Sequence, residues 1–227
     1  MPSYVVVGAS RGIGLEFVRQ LANSTHLSAL VTDANCVNVH VVQSDVVDHR
    51  AMKAAAEEVA ALSGGAVDVL IHNAARMYGP NFYRGLTNYE DDDTLDAEFM
   101  QSFQVNVLGI IHSVNAFLPL LRRGAAKKII LVSTGAGDRD VVWRARFDSA
   151  AAYGVTKAAA NMVAIKYAVQ LEPEGFVVVA LSPGTVDVSA TAAEEPDEFS
   201  RVELARIVEN VKKVVPGHRS LTPAESV

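Results

Sequence analysis

Apolar residues recur along the chain with two different periods. Short runs rich in valine and isoleucine are typical of strands that are buried on both faces of a sheet. These predicted strands are residues 4–7, 37–43, 67–72, 128–133 and 176–182. Longer stretches with apolar residues three and four positions apart predict helices at residues 15–22, 50–62, 95–123, 149–171 and 202–215. We expect Pro119 to bend the third of these helices without ending it.

The strands and helices alternate, which predicts an α/β fold. We expect one Rossmann-like, doubly wound parallel sheet with helices on both faces, formed by a single domain over residues 1–227. In such a sheet, ligands bind at the carboxyl ends of the strands. Residues 76–93 are polar and aromatic and predict a surface loop.

Composition excludes several classes of function. Half of the residues are hydrophobic, a fifth are charged, and the net charge of −6 without a basic tract argues against nucleic-acid binding. The start of the chain has neither the pattern of a signal peptide nor that of a membrane span. One cysteine, Cys36, and six scattered histidines predict no intrachain disulfide and no metal site. We therefore expect a cytoplasmic protein.

The stretch GASRGIG, residues 8–14, lies between the first strand and the first helix. Gly8, Gly12 and Gly14 permit a sharp turn at a helix N-terminus, where free N–H groups favour a phosphate-bearing ligand. A tight turn without any ligand is the alternative. Arg11 within the turn is placed either to meet an additional phosphate or to face solvent.

Two later strand ends carry polar residues that can line the same crevice. Asp45 and Val46 follow the second predicted strand, and Asn73 and Ala74 follow the third. Because the strand ends converge at one edge of the sheet, these residues predict an adenine and ribose site. Helix capping is the alternative role for the aspartate and the asparagine.

Tyr153 and Lys157 stand four residues apart in a predicted helix, so their side chains share one face. An ammonium group beside a phenol favours the phenolate and lowers its pKa, which makes the phenol a usable proton donor near neutral pH. A solvated surface pair is the alternative interpretation.

Together these stretches resemble the short-chain dehydrogenase/reductase superfamily. The matching motifs, in family order between about residues 3 and 190, are GASRGIG, SDV, HNAA, FQVNVLG, ILVSTGAG, YGVTK and LSPGTV. Within the superfamily, the chain is most similar to small fungal carbonyl reductases of the C-factor/sniffer type.

The resemblance implies a role for each matching position. Tyr153 would protonate a substrate carbonyl, Lys157 would lower the pKa of the phenol and bind the nicotinamide ribose, and Asn106 would hold a water molecule. The hydroxyl that binds the carbonyl oxygen would be Thr134, with Ser133 as the alternative. The implied cofactor contacts are Gly8, Ser10, Arg11, Gly12, Ile13, Gly14, Asp45, Val46, Asn73, Ala74, Tyr153, Lys157, Pro183, Gly184 and Val186.

The sequence departs from the family pattern in four places. The segment between Thr134 and Tyr153 is longer, and Trp143 and Phe147 within it either touch a hydrophobic substrate or pack the loop. The region before Asp45 is shorter by about one element. Val188 replaces a threonine that is common near the carboxamide, and the last family strand is missing at the C-terminus.

The shortened region has two interpretations. Residues 27–33 are either the second strand, with its following helix missing, or the remnant of that helix, with the strand lost. Asp33 in this stretch is typical of NAD binding, whereas Arg11 favours NADP, and we expect NADP(H).

We therefore predict an NADP(H)-dependent oxidoreductase that reduces a ketone or aldehyde of a hydrophobic small molecule, or oxidises the alcohol. The alternatives are a non-redox isomerase, cyclase or lyase on this fold and a non-catalytic dinucleotide-binding protein. The substrate loops would be residues 76–93, 138–149 and 185–200.

The predicted helix that contains Tyr153 is rich in small residues, which let another helix approach it closely. The resemblance implies a homodimer or homotetramer formed through this helix and the Asn106 helix. Packing of these small residues within one domain is the alternative. They are Ala158, Ala159, Ala160, Ala164 and Ala168.

Overall fold

A computed structural model of the chain describes residues 2–22, 38–191, 197–215 and 217–227. Within these ranges, four strands form one parallel sheet in the order β1-β2-β3-β4. The strands are β1 (Tyr4–Val7), β2 (Val69–His72), β3 (Lys128–Val132) and β4 (Val177–Leu181). Helices cover both faces of the sheet, which confirms the predicted Rossmann-like α/β fold.

The helices are α1 (Gly12–Leu21), α2 (His49–Leu62), α3 (Asp92–Phe103), α4 (Gly109–Arg123), α5 (Arg139–Arg144), α6 (Ala151–Leu171), α7 (Glu198–Val214) and α8 (Pro223–Ser226). The main core lies between the sheet and helices α2, α4 and α6. Leu70, Leu121 and Ile129 at its centre have no exposed surface. Burial of such side chains is the main favourable contribution to folding.

Helices α3 and α4 are joined without a break by a π-helical segment, Gln104–Leu108. Pro119 lies inside α4, which continues to Arg123, so the prediction that the proline does not end the helix is confirmed. The joined helix Asp92–Arg123 is the one described segment long and apolar enough to cross a membrane. This is weak evidence for a span, because 56% of its most apolar window is buried in the protein, as in other core helices.

The strand predicted at residues 37–43 is wrong for the part that the structure describes. Residues 38–43 have no strand, and Val41 is 80% exposed. A β-branched run becomes a strand only where a neighbouring strand supplies hydrogen bonds, and none of these residues pairs with β1. The two interpretations of residues 27–33, together with Asp33 and Cys36, lie outside the described residues.

The opposite edge of the sheet is β4. Val177, Val179 and Leu181 are each 44–51% exposed, and no further strand among the described residues pairs with β4. The C-terminal segment instead makes an isolated parallel bridge beyond the strand, between Val186 and Leu221. Among the described residues, β4 is therefore an edge strand whose apolar side chains lie at the surface.

The predicted loop 138–149 contains one short helix, α5. Asp138 caps it by accepting hydrogen bonds from the N–H groups of Asp140 and Val141. Trp143 on this helix is 69% exposed, and the Arg146 guanidinium lies 4.5 Å from its ring centroid. A helix of six residues is too short to produce a recognisable apolar period in the sequence.

Candidate active site

The carboxyl ends of the parallel strands bring most of the predicted site residues to one edge of the sheet. The glycine turn, residues 8–14, follows β1, and Asn73 and Ala74 follow β2. Ser133 and Thr134 follow β3.

The glycine turn is packed directly against the end of β2. Gly8 has a φ of +83°, and a Cβ atom there would lie 2.6 Å from the Ala74 nitrogen. A Cβ atom on Gly14 would overlap the carbonyl oxygen of Gly8. The Asn73 side chain donates a hydrogen bond of 2.9 Å to that same oxygen. Asn73 therefore fixes the turn, a role that the sequence reasoning did not assign to it.

The loop after β4 reaches over the glycine turn. The Gly12 N–H donates a hydrogen bond of 2.9 Å to Thr191 Oγ1, and Val188 lies 3.3 Å from the position of a Cβ on Gly12. Gly12 is the first residue of α1, so its N–H is one of the free donors expected at a helix N-terminus. Thr191 thus occupies a donor that was predicted for a phosphate.

Arg11 and Asp45 have different local partners. The Arg11 guanidinium lies 5.3 Å from the ring centroid of Tyr78, in the loop after β2. The Asp45 carboxylate is exposed and accepts a hydrogen bond from the Val47 N–H. Val46 is only 9% exposed and belongs to the core, so its side chain does not line the crevice.

Other predicted cofactor contacts lie in the glycine turn itself or at the start of the loop after β4. Ser10 is exposed and Ile13 is partly buried. Gly184 has a φ of +83°, which favours glycine, and the Pro183 carbonyl accepts a hydrogen bond from Ser226. The C-terminal helix α8 therefore anchors the start of the loop that covers the turn.

Helix α6 brings Tyr153 and Lys157 together as the sequence predicts. Lys157 Nζ lies 5.8 Å from the Tyr153 ring centroid and donates a hydrogen bond of 2.8 Å to the Val132 carbonyl at the end of β3. Lys157 is only 3% exposed, and burial lowers its pKa from 10.5 to about 8.

The predicted direction of the Tyr153 pKa is wrong. Burial raises the pKa of this phenol from 10.0 to about 12, and the hydrogen bond with Thr134 only partly opposes that rise. The nearby Tyr83 raises it further. The Lys157 ammonium is directed to the Val132 carbonyl, so loss of water around the phenol outweighs the charge of its neighbour. Tyr153 therefore keeps its proton at neutral pH.

The two candidate hydroxyls after β3 face different partners. Ser133 donates a hydrogen bond of 2.5 Å to Asn161 Oδ1 on α6. Thr134 accepts from the Ala136 N–H and forms the hydrogen bond with Tyr153. Thr134 is thus the hydroxyl beside the phenol, while Ser133 links β3 to the helix.

Asn106 lies in the π-helical segment and is completely buried. Its Oδ1 accepts a hydrogen bond of 2.7 Å from the Arg76 N–H, and its Nδ2 donates to the Arg76 carbonyl and to Thr156 Oγ1. Both amide hydrogens therefore have protein partners. The predicted water-holding role of this side chain receives no support from its hydrogen bonds.

Sequence reasoning missed an aromatic wall beside Tyr153. Phe82 lies 5.3 Å from the Tyr153 ring, and Tyr83 packs edge-on against Phe82 at 4.8 Å, measured between ring centroids. The Arg84 carbonyl accepts a hydrogen bond from the Ala151 N–H, which attaches this loop to the start of α6. The aromatic residues of the predicted loop 76–93 were the available signal.

No group of three or more histidine, cysteine, aspartate or glutamate side chains is placed to hold a metal within the described ranges. The arrangement offers a phosphate-sized turn on one side and a protonated phenol on the other. Such a site suits a bound dinucleotide with a substrate carbonyl next to it.

Comparison with known proteins agrees with this architecture. The family model of the short chain dehydrogenases matches residues 3–198. The chain therefore belongs to the short-chain dehydrogenase/reductase family, whose members are NAD(P)(H)-dependent oxidoreductases.

Two curated relatives are fungal. The chain is 38% identical over 218 residues to the short-chain dehydrogenase/reductase AacuF of Aspergillus aculeatus, covering 90% of this chain and 82% of the relative. It is 33% identical over 217 residues to the short chain dehydrogenase virK of Hypocrea virens, covering 89% and 80%.

Solved structures share the fold at lower identity. The NADPH-bound carbonyl reductase from chicken fatty liver has a TM-score of 0.70 and 24% identity, covering all of this chain and 88% of that one. The putative carbonyl reductase Sniffer of Caenorhabditis elegans has a TM-score of 0.67 and 22% identity, covering 99% and 98%.

Proposed function

We propose that this oxidoreductase uses NADP(H) to reduce a ketone or aldehyde of a hydrophobic small molecule, with Tyr153 as the proton donor. One observation carries the proposal. The Tyr153 phenol interacts with the Thr134 hydroxyl, and the Lys157 ammonium lies 5.8 Å from the centroid of the phenol ring, at the strand ends. A positioned acid with a second hydrogen-bond donor is the arrangement that carbonyl reduction requires.

The residues of the crevice fit a dinucleotide. Arg11 makes no side-chain cap at the N-terminus of α1, so the backbone N–H groups there, other than that of Gly12, which donates to Thr191, would face the pyrophosphate. Asp45 and the Asn73–Ala74 backbone would lie beside the adenosine, and Pro183, Gly184 and Val186 beside the nicotinamide. When bound, the cofactor supplies the hydride.

The chain's own residues would donate the proton and bind the substrate. Tyr153 donates its proton to the carbonyl oxygen, and Thr134 donates a hydrogen bond to the same oxygen as negative charge develops on it. Lys157 orients the nicotinamide ribose and keeps a positive charge behind the phenol. Phe82 and Tyr83 form an apolar wall for the substrate.

Arg11 supports NADP(H) over NAD(H). It is exposed, lies in the glycine turn, and forms no ion pair with an acid among the pairs that the structure describes. A guanidinium in that position can bind the additional phosphate of NADP.

The surface of α6 supports a homo-oligomer. Its exposed apolar side chains repeat at intervals of seven, three and four residues and form one stripe. They are Val155, Met162, Ile165 and Val169, each 53–67% exposed. Met100 and Phe103 on α3 are also exposed. A stripe with this spacing packs well against a second copy of itself, whereas Ala160 and Ala164 are buried within one chain.

The expected location of the protein remains the cytoplasm.

Replacing Tyr153 with phenylalanine should lower kcat for carbonyl reduction by a factor of about 10²–10⁴, because the proton donor is removed. NADPH binding, measured by fluorescence, should be retained. Activity is measured as NADPH oxidation with a panel of ketones and aldehydes.

The matched control is Tyr167→Phe on the same helix, whose hydroxyl is bonded to Asn115 away from the strand ends. Undiminished turnover in Tyr153→Phe would reject the proposed mechanism.

Replacing Thr191 with valine should tighten NADPH binding by a factor of about 2–10, because the Gly12 N–H is freed from a hydrogen bond worth about 0.5–1.5 kcal/mol. Thr191→Ser, which keeps the hydroxyl, should bind as the parent does. Dissociation constants from fluorescence titration test this. Weaker binding by the valine variant would mean that the Thr191 hydroxyl contacts the cofactor instead.

Replacing Ile165 with glutamate should convert the oligomer to monomers, because a charge would be buried in the apolar stripe. Lys166→Glu, on the neighbouring exposed position, is the control. Light scattering at micromolar concentration measures the mass, and a monomeric parent protein would contradict the proposal.

A further inference from the structure

His72 ends β2 and is only 2% exposed, yet neither of its ring nitrogens has a hydrogen-bond partner among the described residues. Burial, together with the charge of Lys157, lowers the pKa of this histidine from 6.5 to about 3. The imidazole is therefore neutral near physiological pH, with one donor and one acceptor nitrogen.

Packing alone does not account for a histidine in this position. The other three residues of β2, Val69, Leu70 and Ile71, are apolar and buried. An unpaired buried polar group costs about 1–3 kcal/mol, so an apolar residue of similar size would serve the sheet better. Unsatisfied groups of this kind call for a functional or solvent partner.

Lys157 is the neighbouring hydrogen-bond donor for which His72 can act as the acceptor. Its Nζ carries three hydrogens, and its one hydrogen-bond acceptor within the described ranges is the Val132 carbonyl. Asn106, which was predicted to hold a water molecule, already uses its acceptor Oδ1 on the Arg76 N–H. His72 is in register with Leu131, the residue before Val132, so His72 and the carbonyl that holds Lys157 lie at the ends of two adjacent strands.

We propose that His72 is a positioning residue for Lys157, whose ammonium it holds by accepting a second hydrogen bond at a ring nitrogen through one bridging water molecule. The importance of this contact for turnover rests on the proposed function. Bonds to Val132 and, through the water molecule, to His72 would fix two of the three N–H directions and leave the third for Tyr153 and the cofactor side.

The contact has a predictable electrostatic effect. A neutral acceptor stabilises the charged ammonium and so raises its pKa. The titratable side chains with a resolved interaction with Lys157 are His72 from β2 and Tyr153 from α6. Removing the acceptor should therefore lower the pKa of Lys157 below that of the parent.

The test compares His72→Leu, which lacks an acceptor, with His72→Asn, which keeps one. NMR titration of the Lys157 side chain, assigned by its loss in Lys157→Met, measures the midpoint in the free protein. We expect a midpoint near 8 for the parent, a similar one for His72→Asn, and one lower by about one pH unit for His72→Leu. If His72→Leu does not fold, as judged by circular dichroism, His72→Val replaces it.

The same variants are compared by the pH profile of kcat, and the high-pH limb should move to lower pH in the leucine variant alone. An unchanged Lys157 midpoint in a folded leucine or valine variant would overturn the proposal. A shifted midpoint without turnover of any carbonyl by the parent would uphold the contact and reject the proposed function instead.

Discussion

The burial of one ammonium group organises the site. Lys157 reaches from α6 to the end of β3, where the Val132 carbonyl holds its Nζ at 2.8 Å. A charge that is 3% exposed is stable only with such partners, so the helix and the sheet must keep a fixed separation at this point. The same separation brings Tyr153 next to Thr134. Burial then lowers the pKa of the lysine and raises that of the phenol.

The other half of the crevice depends on close backbone contacts rather than on charge. Asn73 ties the glycine turn to the end of β2, and glycines at positions 8 and 14 let the two segments approach. The loop after β4 closes over the turn through Thr191. A ligand phosphate at Gly12 would therefore compete with a protein hydroxyl, and the proposed cofactor binding would then be linked to the position of a predicted substrate loop.

The sequence predicted those features that depend on local pattern. Four strands, the long helices and the pairing of Tyr153 with Lys157 follow from periodicity and from helical spacing. The strand at 37–43 did not form in residues 38–43, because strand formation requires a partner that is distant in sequence. Helix α5 was missed because six residues carry too little periodicity.

Side-chain chemistry was harder to predict than position. The spacing of Tyr153 and Lys157 indicated their proximity, but the direction of the phenol pKa depends on the surrounding protein, including Tyr83 from a distant loop. Likewise, the resemblance suggested a water on Asn106, whereas the structure satisfies that amide with Arg76 and Thr156. Only the assembled fold shows that His72 is buried without a hydrogen-bond partner, on the strand next to the one that holds the lysine.

Exclusion of water, more than the charge of the neighbouring Lys157, sets the acidity of the Tyr153 phenol. The most direct measurement is the phenolate absorbance of the free protein during an alkaline titration, as the difference between the parent and Tyr153→Phe. We expect no Tyr153 phenolate below pH 10, in keeping with a pKa raised to about 12. A Tyr153 phenolate that forms near neutral pH would contradict the account.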